Sequence, residues 1–161
     1  MLLTLACPQR SSLYVTNERS GGGMNKTPTI QNGSGTLIIT GSSGLIGSSF
    51  IDRVGENYTE MGFDRKGPPH PPPKTEHAIA CDLSSDESVY AALDEVRRLG
   101  HRQIASILHL AAYYSFASES SPLYEQVTVR GTERLLRGLR DFEVEQFIFA
   151  STMLAHAPCE P

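Results

Sequence analysis

The stretch TGSSGLIGSS, residues 40–49, places glycines at positions 41, 44 and 47, and it overlaps the end of the apolar run TLIIT at 36–40. That run lacks polar alternation, which is typical of a strand buried on both faces of a parallel sheet. Apolar residues then recur at helical spacing up to Val54, so a helix is expected to begin among the glycines. Strand, glycine turn and helix in this order are the context in which a turn can hold a pyrophosphate at a helix N-terminus.

The three glycines would each serve such binding differently. Gly41 would let the chain turn sharply, Gly44 would let the backbone approach the phosphates, and Gly47 would let the helix pack close to the sheet. The other predicted contacts within the turn are Ser43, Leu45 and Ile46. The alternative is a tight strand-to-helix turn that binds nothing.

A carboxylate follows at the distance that this kind of site requires. Asp64 ends the second predicted strand, YTEMGFD at 58–64, and lies 23 residues after Gly41. A carboxylate there accepts hydrogen bonds from the adenosine ribose and repels a 2′-phosphate, which favours NAD over NADP. Arg65 could instead accept that phosphate, and Asp64 could simply be a solvated strand end.

Further strands and helices alternate along the chain, which predicts βαβ units on a parallel sheet. The third, fourth and fifth strands are predicted at 77–82, 105–112 and 146–151. A helix is expected after the third strand, capped by Ser84 or Ser85, and a longer one, over 121–142, after the fourth.

Composition and charge exclude several classes of partner. The 161 residues carry a formal net charge of −4 without any basic cluster, which argues against nucleic-acid binding. No apolar run approaches the ~20 residues of a membrane span. The odd number of cysteines, without CxxC spacing, favours a reducing cytoplasm. His156 and Cys159 lack further ligands at zinc spacing, so no metal is expected.

Residues 1–35 are polar, rich in Gly and Ser and without periodicity, so they are expected to form a disordered leader before a domain at 36–161. The glycines of SGGGM suggest, as a hypothesis, a translated ribosome-binding site ahead of a true start at Met24. The nucleotide sequence upstream of codon 24 would test that hypothesis.

Six motifs in order resemble the extended short-chain dehydrogenase/reductases, the NAD-dependent epimerase/dehydratase group. The resemblance covers about residues 36 to 152 and rests on TGSSGLIG, FD, CDL, HLAA, VRGTERLL and FIFAST. It implies a doubly wound Rossmann-type sheet in three αβα layers with strand order 3-2-1-4-5. It also implies NAD as cofactor, with NADP less favoured.

The resemblance implies roles for further residues. Asp82 would contact the adenine amino group, with Leu83 beside it. The segment that would lie against the cofactor comprises Leu110, Ala111 and Ala112. Alternatively, HLAA is an ordinary core strand in which His109 is a core histidine with its hydrogen bonds satisfied.

The resemblance places a catalytic Ser/Thr at Thr152, where it would hydrogen-bond the reacting oxygen of the substrate. Thr152 could instead be a strand-end hydroxyl bonded to the backbone. Two residues depart from the family pattern: Thr128 stands where Asn is frequent, and His156 stands where many members have tyrosine.

The family's catalytic Tyr-x-x-x-Lys pair is absent from these 161 residues. We therefore expect an N-terminal cofactor-binding half that is inactive alone, with a sheet incomplete at its C-terminal edge. The apolar fifth strand would be an uncovered edge, which favours homo-oligomerisation.

The enzyme implied by the resemblance would oxidise a hydroxyl to a ketone on a small molecule such as a nucleotide sugar, with NAD taking the hydride. A carbonyl reductase of the same superfamily is a variant of that hypothesis. A non-catalytic dinucleotide-binding or redox-sensing module is the alternative.

Overall fold

The computed structural model describes residues 2–6, 35–54, 58–65, 77–115 and 121–151, and seven strands of these ranges form one sheet. The strands are β1 Leu2–Ala6, β2 Gly35–Thr40, β3 Tyr58–Asp64, β4 His77–Ala80, β5 Gln103–His109, β6 Glu143–Val144 and β7 Gln146–Ala150. The α-helices are α1 Leu45–Val54, α2 Asp86–Arg98 and α3 Arg130–Gly138. A π-helix, Tyr124–Val129, leads into α3, and a 3-10 turn, Leu139–Asp141, follows it.

The order of the parallel strands is β4-β3-β2-β5-β7, which confirms the predicted order 3-2-1-4-5. The chain builds outward from β2 to β4 and then returns to the other side of β2 with β5. The direction of winding therefore reverses between β2 and β5, and a crevice for ligands opens at such a point in doubly wound folds.

Alternate residues of β2 pack on opposite faces of the sheet. Ile38 joins a core cluster with residues of α2 and α3, whereas Ile39 joins a second cluster with Ile51 of α1. The residues buried on the α2 and α3 side include Val89, Leu93, Val96 and Leu135. Helices on both faces of one sheet confirm the three αβα layers.

The position of β1 contradicts two predictions. β1 pairs antiparallel with β7, with Leu2 opposite Ala150 and Ala6 opposite Gln146. The prediction of a disordered leader is therefore wrong for 2–6, and so is the prediction of an uncovered edge at β7. The apolar segment LLTLA can occupy that edge because an edge strand offers unpaired backbone groups to any extended segment. Gly35, the last residue of the predicted leader, begins β2. Apart from 2–6 and Gly35, the residues of the leader, Met24 included, lie outside the described residues.

Of the predicted elements, the third strand, the fourth strand and the long helix differ most in their limits. The third strand ends at Ala80, and the fourth begins at Gln103 and ends at His109 instead of running to residue 112. The fourth strand ends there because the next two N–H groups turn toward Thr40 on β2. The long predicted helix is interrupted by its π-helical segment, and Ser85 is the N-cap of α2.

Among the described residues, no helix is long and apolar enough to cross a membrane.

Candidate functional site

The carboxyl ends of three neighbouring strands meet at the glycine turn. β2 ends at Thr40, β3 ends at Asp64 and β5 ends at His109. Gly41 continues the ladder beyond β2 by donating its N–H to Phe63 O over 2.9 Å. The predicted site residues of the turn, of Asp64 and of HLAA are thus brought together at the carboxyl ends of the strands, at the point where the winding reverses.

The turn itself depends on residues without side chains. Gly41 has a φ of +71°, in the left-handed region that favours glycine. Its carbonyl oxygen accepts the N–H of Gly44 over 3.0 Å. A Cβ added at Gly47 would collide with that same oxygen and lie 2.9 Å from Ser42 Cα. Gly47 therefore lets α1 begin directly against the end of β2.

The glycine turn also packs against the segment that follows β5. A Cβ added at Gly41 would lie 3.0 Å from Ala111 N and 3.2 Å from the carbonyl carbon of Leu110. Leu110 and Ala111 are half-buried, whereas Ala112 is exposed. The two motifs that the sequence places seventy residues apart are in backbone contact here.

Asp64 closes the turn from the β3 side. Its Oδ2 accepts the backbone N–H of Ser43 over 2.8 Å, and its Oδ1 accepts the backbone N–H of Arg65 over 2.8 Å. The carboxylate is half-buried, and Arg65 is exposed. Asp64 is therefore more than a solvated strand end, because it fixes one amide of the glycine turn.

Asp82 follows β4, at the same end of the sheet, where the strands have their carboxyl ends. Its Oδ1 accepts the hydroxyl and the N–H of Ser84, and these hydrogen bonds hold the pKa of the carboxyl below its usual range. The neighbouring Cys81 is buried, which raises the pKa of its thiol to about 12, with Asp82 and Asp64 adding to the shift. This thiol stays protonated at neutral pH and is not a nucleophile.

Leu83 is placed differently from the other predicted contacts. Its side chain is 4% exposed and packs in the core beneath α3, where a Cβ added at Gly131 would lie 2.9 Å from Leu83 Cβ. Its carbonyl oxygen accepts Arg134 Nη1 over 3.1 Å. Leu83 therefore fixes the segment after Asp82 on α3, through its buried side chain and through the hydrogen bond from Arg134 to its carbonyl oxygen.

The first residues of α1 present apolar side chains to solvent. Leu45 is 82% exposed and Ile46 is 65% exposed, although both belong to the apolar pattern that predicted the helix. Phe50, Ile51 and Val54 supply the packing of α1 on the sheet. An exposed apolar pair beside the glycine turn is a surface that a ligand could cover.

His109 is a buried histidine with both ring nitrogens hydrogen bonded. Its Nδ1 lies 2.7 Å from Thr40 Oγ1, and its Nε2 lies 2.9 Å from Thr132 Oγ1 on α3. The ring also contacts that of Phe147 at 5.8 Å between centroids. Burial lowers the pKa of His109 to about 4, so the ring is neutral at pH 7.

The π-helix borders the segment after β5. Thr128 Oγ1 accepts the backbone N–H of Tyr113 over 3.0 Å. The rings of Tyr113 and Tyr124 meet edge to face, 5.0 Å apart. The hydroxyl at the position where the family often has asparagine thus anchors the backbone that follows Ala112.

Sequence reasoning assigned no role to Thr40, Thr132 or Arg134, although each connects segments of this site. For Thr40, the available signal was a threonine that ends one strand beside a histidine, His109, that ends the adjacent parallel strand. Thr152, His156 and Cys159 lie outside the described residues. Within the described ranges, no group of three or more metal-ligating side chains occurs.

Comparison with known proteins gives one family match. Residues 37–161 match the model of the NAD dependent epimerase/dehydratase family. The chain is 25% identical over 126 residues to a 3-beta-hydroxysteroid dehydrogenase of Mycolicibacterium neoaurum, covering 78% of this chain and 34% of that protein. It is 25% identical over 122 residues to a "Putative UDP-glucose 4-epimerase" of Methanocaldococcus jannaschii, covering 72% and 37%.

The chain thus spans about a third of the length of these relatives. A solved structure with the same fold is a short chain dehydrogenase from Leptospira borgpetersenii with bound NAD+. That structure superposes with a TM-score of 0.59 at 15% identity, over 76% of this chain and 51% of the other.

Proposed function

The chain belongs to the NAD dependent epimerase/dehydratase family, and on that premise we propose that it is the NAD-binding part of an oxidoreductase acting at a substrate hydroxyl or ketone. The observation that carries the proposal is the glycine turn at the carboxyl end of β2, closed by Asp64 through Ser43 N. This turn lies where doubly wound folds bind dinucleotides, at the reversal between β2 and β5.

The residues of the turn fit a pyrophosphate. The first N–H groups of an α-helix have no acceptor within the helix, and the helix dipole favours negative charge there. Leu45 and Ile46 would offer these groups at the start of α1, whereas the N–H of Gly44 is used within the turn, where it bonds Gly41 O. Gly41 and Gly47 keep the turn compact, since a Cβ at either position would meet backbone atoms.

The residues around the turn fit the rest of a dinucleotide. Asp64 would accept the adenosine ribose hydroxyls, and Asp82, which stays ionised at neutral pH, would accept the adenine amino group. The segment proposed to face the nicotinamide end is Leu110, Ala111 and Ala112. The exposed side chains of Leu45 and Ile46 would be partly covered by the cofactor.

The cofactor, when bound, would supply the acceptor or donor of the hydride. Thr152 is the residue proposed to hydrogen-bond the reacting oxygen. We further propose a nucleotide sugar as the substrate, supported by the relative from M. jannaschii. A cytoplasmic location, supported by the cysteine pattern, belongs to the same proposal.

Cofactor titrations of two Asp64 variants test this assignment. Asp64→Asn keeps an oxygen that can accept Ser43 N–H but removes the negative charge facing a 2′-phosphate. We expect the preference of the wild-type chain for NAD over NADP to fall about tenfold in Asp64→Asn, which corresponds to about 1.4 kcal/mol. Asp64→Ala should weaken NAD binding as well, because it also frees the glycine turn.

Arg65→Ala is the matched control, since Arg65 adjoins Asp64 but is exposed. It should leave NAD affinity within about twofold of the wild-type value. Isothermal titration calorimetry with NAD and with NADP gives the affinities of all four proteins. Unchanged NAD affinity in Asp64→Ala would remove Asp64 from the proposed site.

A further inference from the structure

A chain of hydroxyl groups runs through the buried His109 ring from β2 to α3. On the α3 side, Thr132 Oγ1 lies 2.9 Å from His109 Nε2 and 2.6 Å from the carbonyl oxygen of Thr128. On the β2 side, Thr40 Oγ1 lies 2.7 Å from His109 Nδ1. Three side chains from three elements are thus connected in sequence.

The chain of hydroxyls ends on two backbone amides. Thr40 Oγ1 also lies 3.2 Å from Leu110 N and 3.1 Å from Ala111 N. Both amides can only donate, so Thr40 Oγ1 accepts both hydrogen bonds. The N–H of Leu110 is shared between Thr40 Oγ1 and the backbone oxygen of Thr40, which lies at 3.2 Å. These amides belong to the segment that contacts Gly41 in the glycine turn.

One proton per hydroxyl fixes the direction of every bond. Thr128 O is a carbonyl oxygen and can only accept, so the Thr132 hydroxyl proton points to it. Thr132 Oγ1 must then accept from His109, which places the ring proton on Nε2. In the neutral ring Nδ1 carries no proton, so it accepts the hydroxyl proton of Thr40.

We propose that His109, as the neutral tautomer protonated on Nε2, is a positioning residue that holds the Leu110–Ala111 backbone against the glycine turn. We call Thr40, His109 and Thr132 the hydroxyl relay. No other protonation state fits its geometry: a proton on Nδ1 would direct three N–H donors at Thr40 Oγ1 and leave the Thr40 hydroxyl proton without its acceptor. Burial of the ring, which lowers its pKa to about 4, supports the neutral form.

The relay connects α3 to the turn although Thr132 lies on the far side of the ring from Leu110 and Ala111. Buried hydrogen bonds of this kind reinforce one another, because each donor orients the next acceptor. The link from this backbone to a cofactor rests on the proposed function. The hydroxyl relay itself does not rest on the proposed function, because all of its contacts are between residues of the protein.

The tautomer can be measured directly. Two-bond ¹H–¹⁵N NMR correlations of the imidazole side chains in the ¹⁵N-labelled full chain at pH 7 distinguish a protonated from a bare ring nitrogen. We expect the Nε2–H pattern for His109. An Nδ1–H pattern or a doubly protonated ring would overturn the proposal.

Amide hydrogen exchange tests the positioning role. Thr132→Val removes the far end of the relay while keeping the shape of the side chain. We expect the amides of Leu110 and Ala111 to exchange about fivefold to tenfold faster in this variant, relative to that of Ile38 in the core of β2. Thr132→Ser, which restores the hydroxyl, should return both rates to within about twofold of wild type.

The matched control is a second Thr–His pair at the other end of β2, where Thr36 Oγ1 lies 2.8 Å from His101 Nδ1. Thr36→Val should leave the Leu110 and Ala111 rates unchanged. Equal acceleration in Thr36→Val and Thr132→Val, or none in Thr132→Val, would overturn the relay. Both measurements are made without cofactor, so they decide on the relay whether or not NAD binds, and the NAD titrations decide separately on the proposed function.

Discussion

At the scale of single residues, burial decides the charge of His109. The residues that the structure shows in contact with the ring, Thr40, Thr132 and Phe147, are uncharged. None of them compensates a protonated His109 ring for its lost hydration. Its pKa falls from 6.5 to about 4. The unfolded chain therefore binds a proton in a pH range where the folded protein does not.

This difference predicts a pH dependence of stability. The contribution of neutral His109 is fully present above pH 6.5 and is lost as the pH falls through about 4. It amounts to at most about 3–4 kcal/mol, from the fall in pKa from 6.5 to about 4 at 1.36 kcal/mol per pKa unit. Urea unfolding of the wild-type chain and of His109→Asn between pH 4 and 7 measures it, and the variant should show a shallower dependence on pH. Identical pH dependences in the two proteins would contradict the assignment.

At the scale of elements, the approach of α1 to β2 sets the shape of the glycine turn. Gly47 is buried at the point of contact, and a Cβ there would meet backbone atoms of Gly41 and Ser42 that cannot rotate away. The helix or the turn would have to move. The sequence motif predicts this close contact correctly, because only glycine fits it.

Gly47→Ala should destabilise the protein despite the higher helix propensity of alanine. Alanine in a helix gains up to about 1 kcal/mol over glycine, whereas overpacking against a rigid neighbour costs about 1–3 kcal/mol. We expect a net loss of about 1–2 kcal/mol in the free energy of unfolding, measured by urea titration. Ser49→Ala, an exposed position of the same helix, is the control and should change that free energy by less than about 0.5 kcal/mol.

A gain in stability for Gly47→Ala would show that the turn can yield to a Cβ.

The π-helix before α3 illustrates what patterns of apolar residues cannot predict. A single π-helical segment shifts the spacing of apolar residues only slightly, so Val127 and Leu135 still face the core. The sequence therefore predicts a continuous helix where the structure has two kinds of turn.

At the scale of the whole molecule, the parallel core was predictable and its outer edge was not. Buried runs such as TLIIT specify central strands because parallel strands are covered on both faces. The segment LLTLA is too short and too far from the glycine turn in sequence to predict a partner, yet β1 covers β7. The hydroxyl relay also escapes sequence analysis, because its residues meet only after the sheet has formed.

The pairing of β1 predicts the state of association. N–H groups alternate in direction along a strand, so the double substitution Leu3→Pro and Thr4→Pro removes at least one N–H that faces β7. The uncovered edge should then pair with other copies of the chain. Sedimentation velocity should show a larger average mass for this variant than for the control Leu3→Val and Thr4→Val. Equal masses at every concentration would show that β1 does not protect the edge.

The central claim is that the glycine turn, Asp64 and the segment after β5 form one dinucleotide site. The most direct measurement is a titration of the ¹⁵N-labelled chain with NAD, followed through the backbone amide signals. The account predicts saturable shifts concentrated at residues 41–47, at Asp64 and at 110–112, with the amides near His101 at the opposite end of the sheet unchanged. No saturable shift, or shifts centred away from the carboxyl ends of β2, β3 and β5, would contradict it.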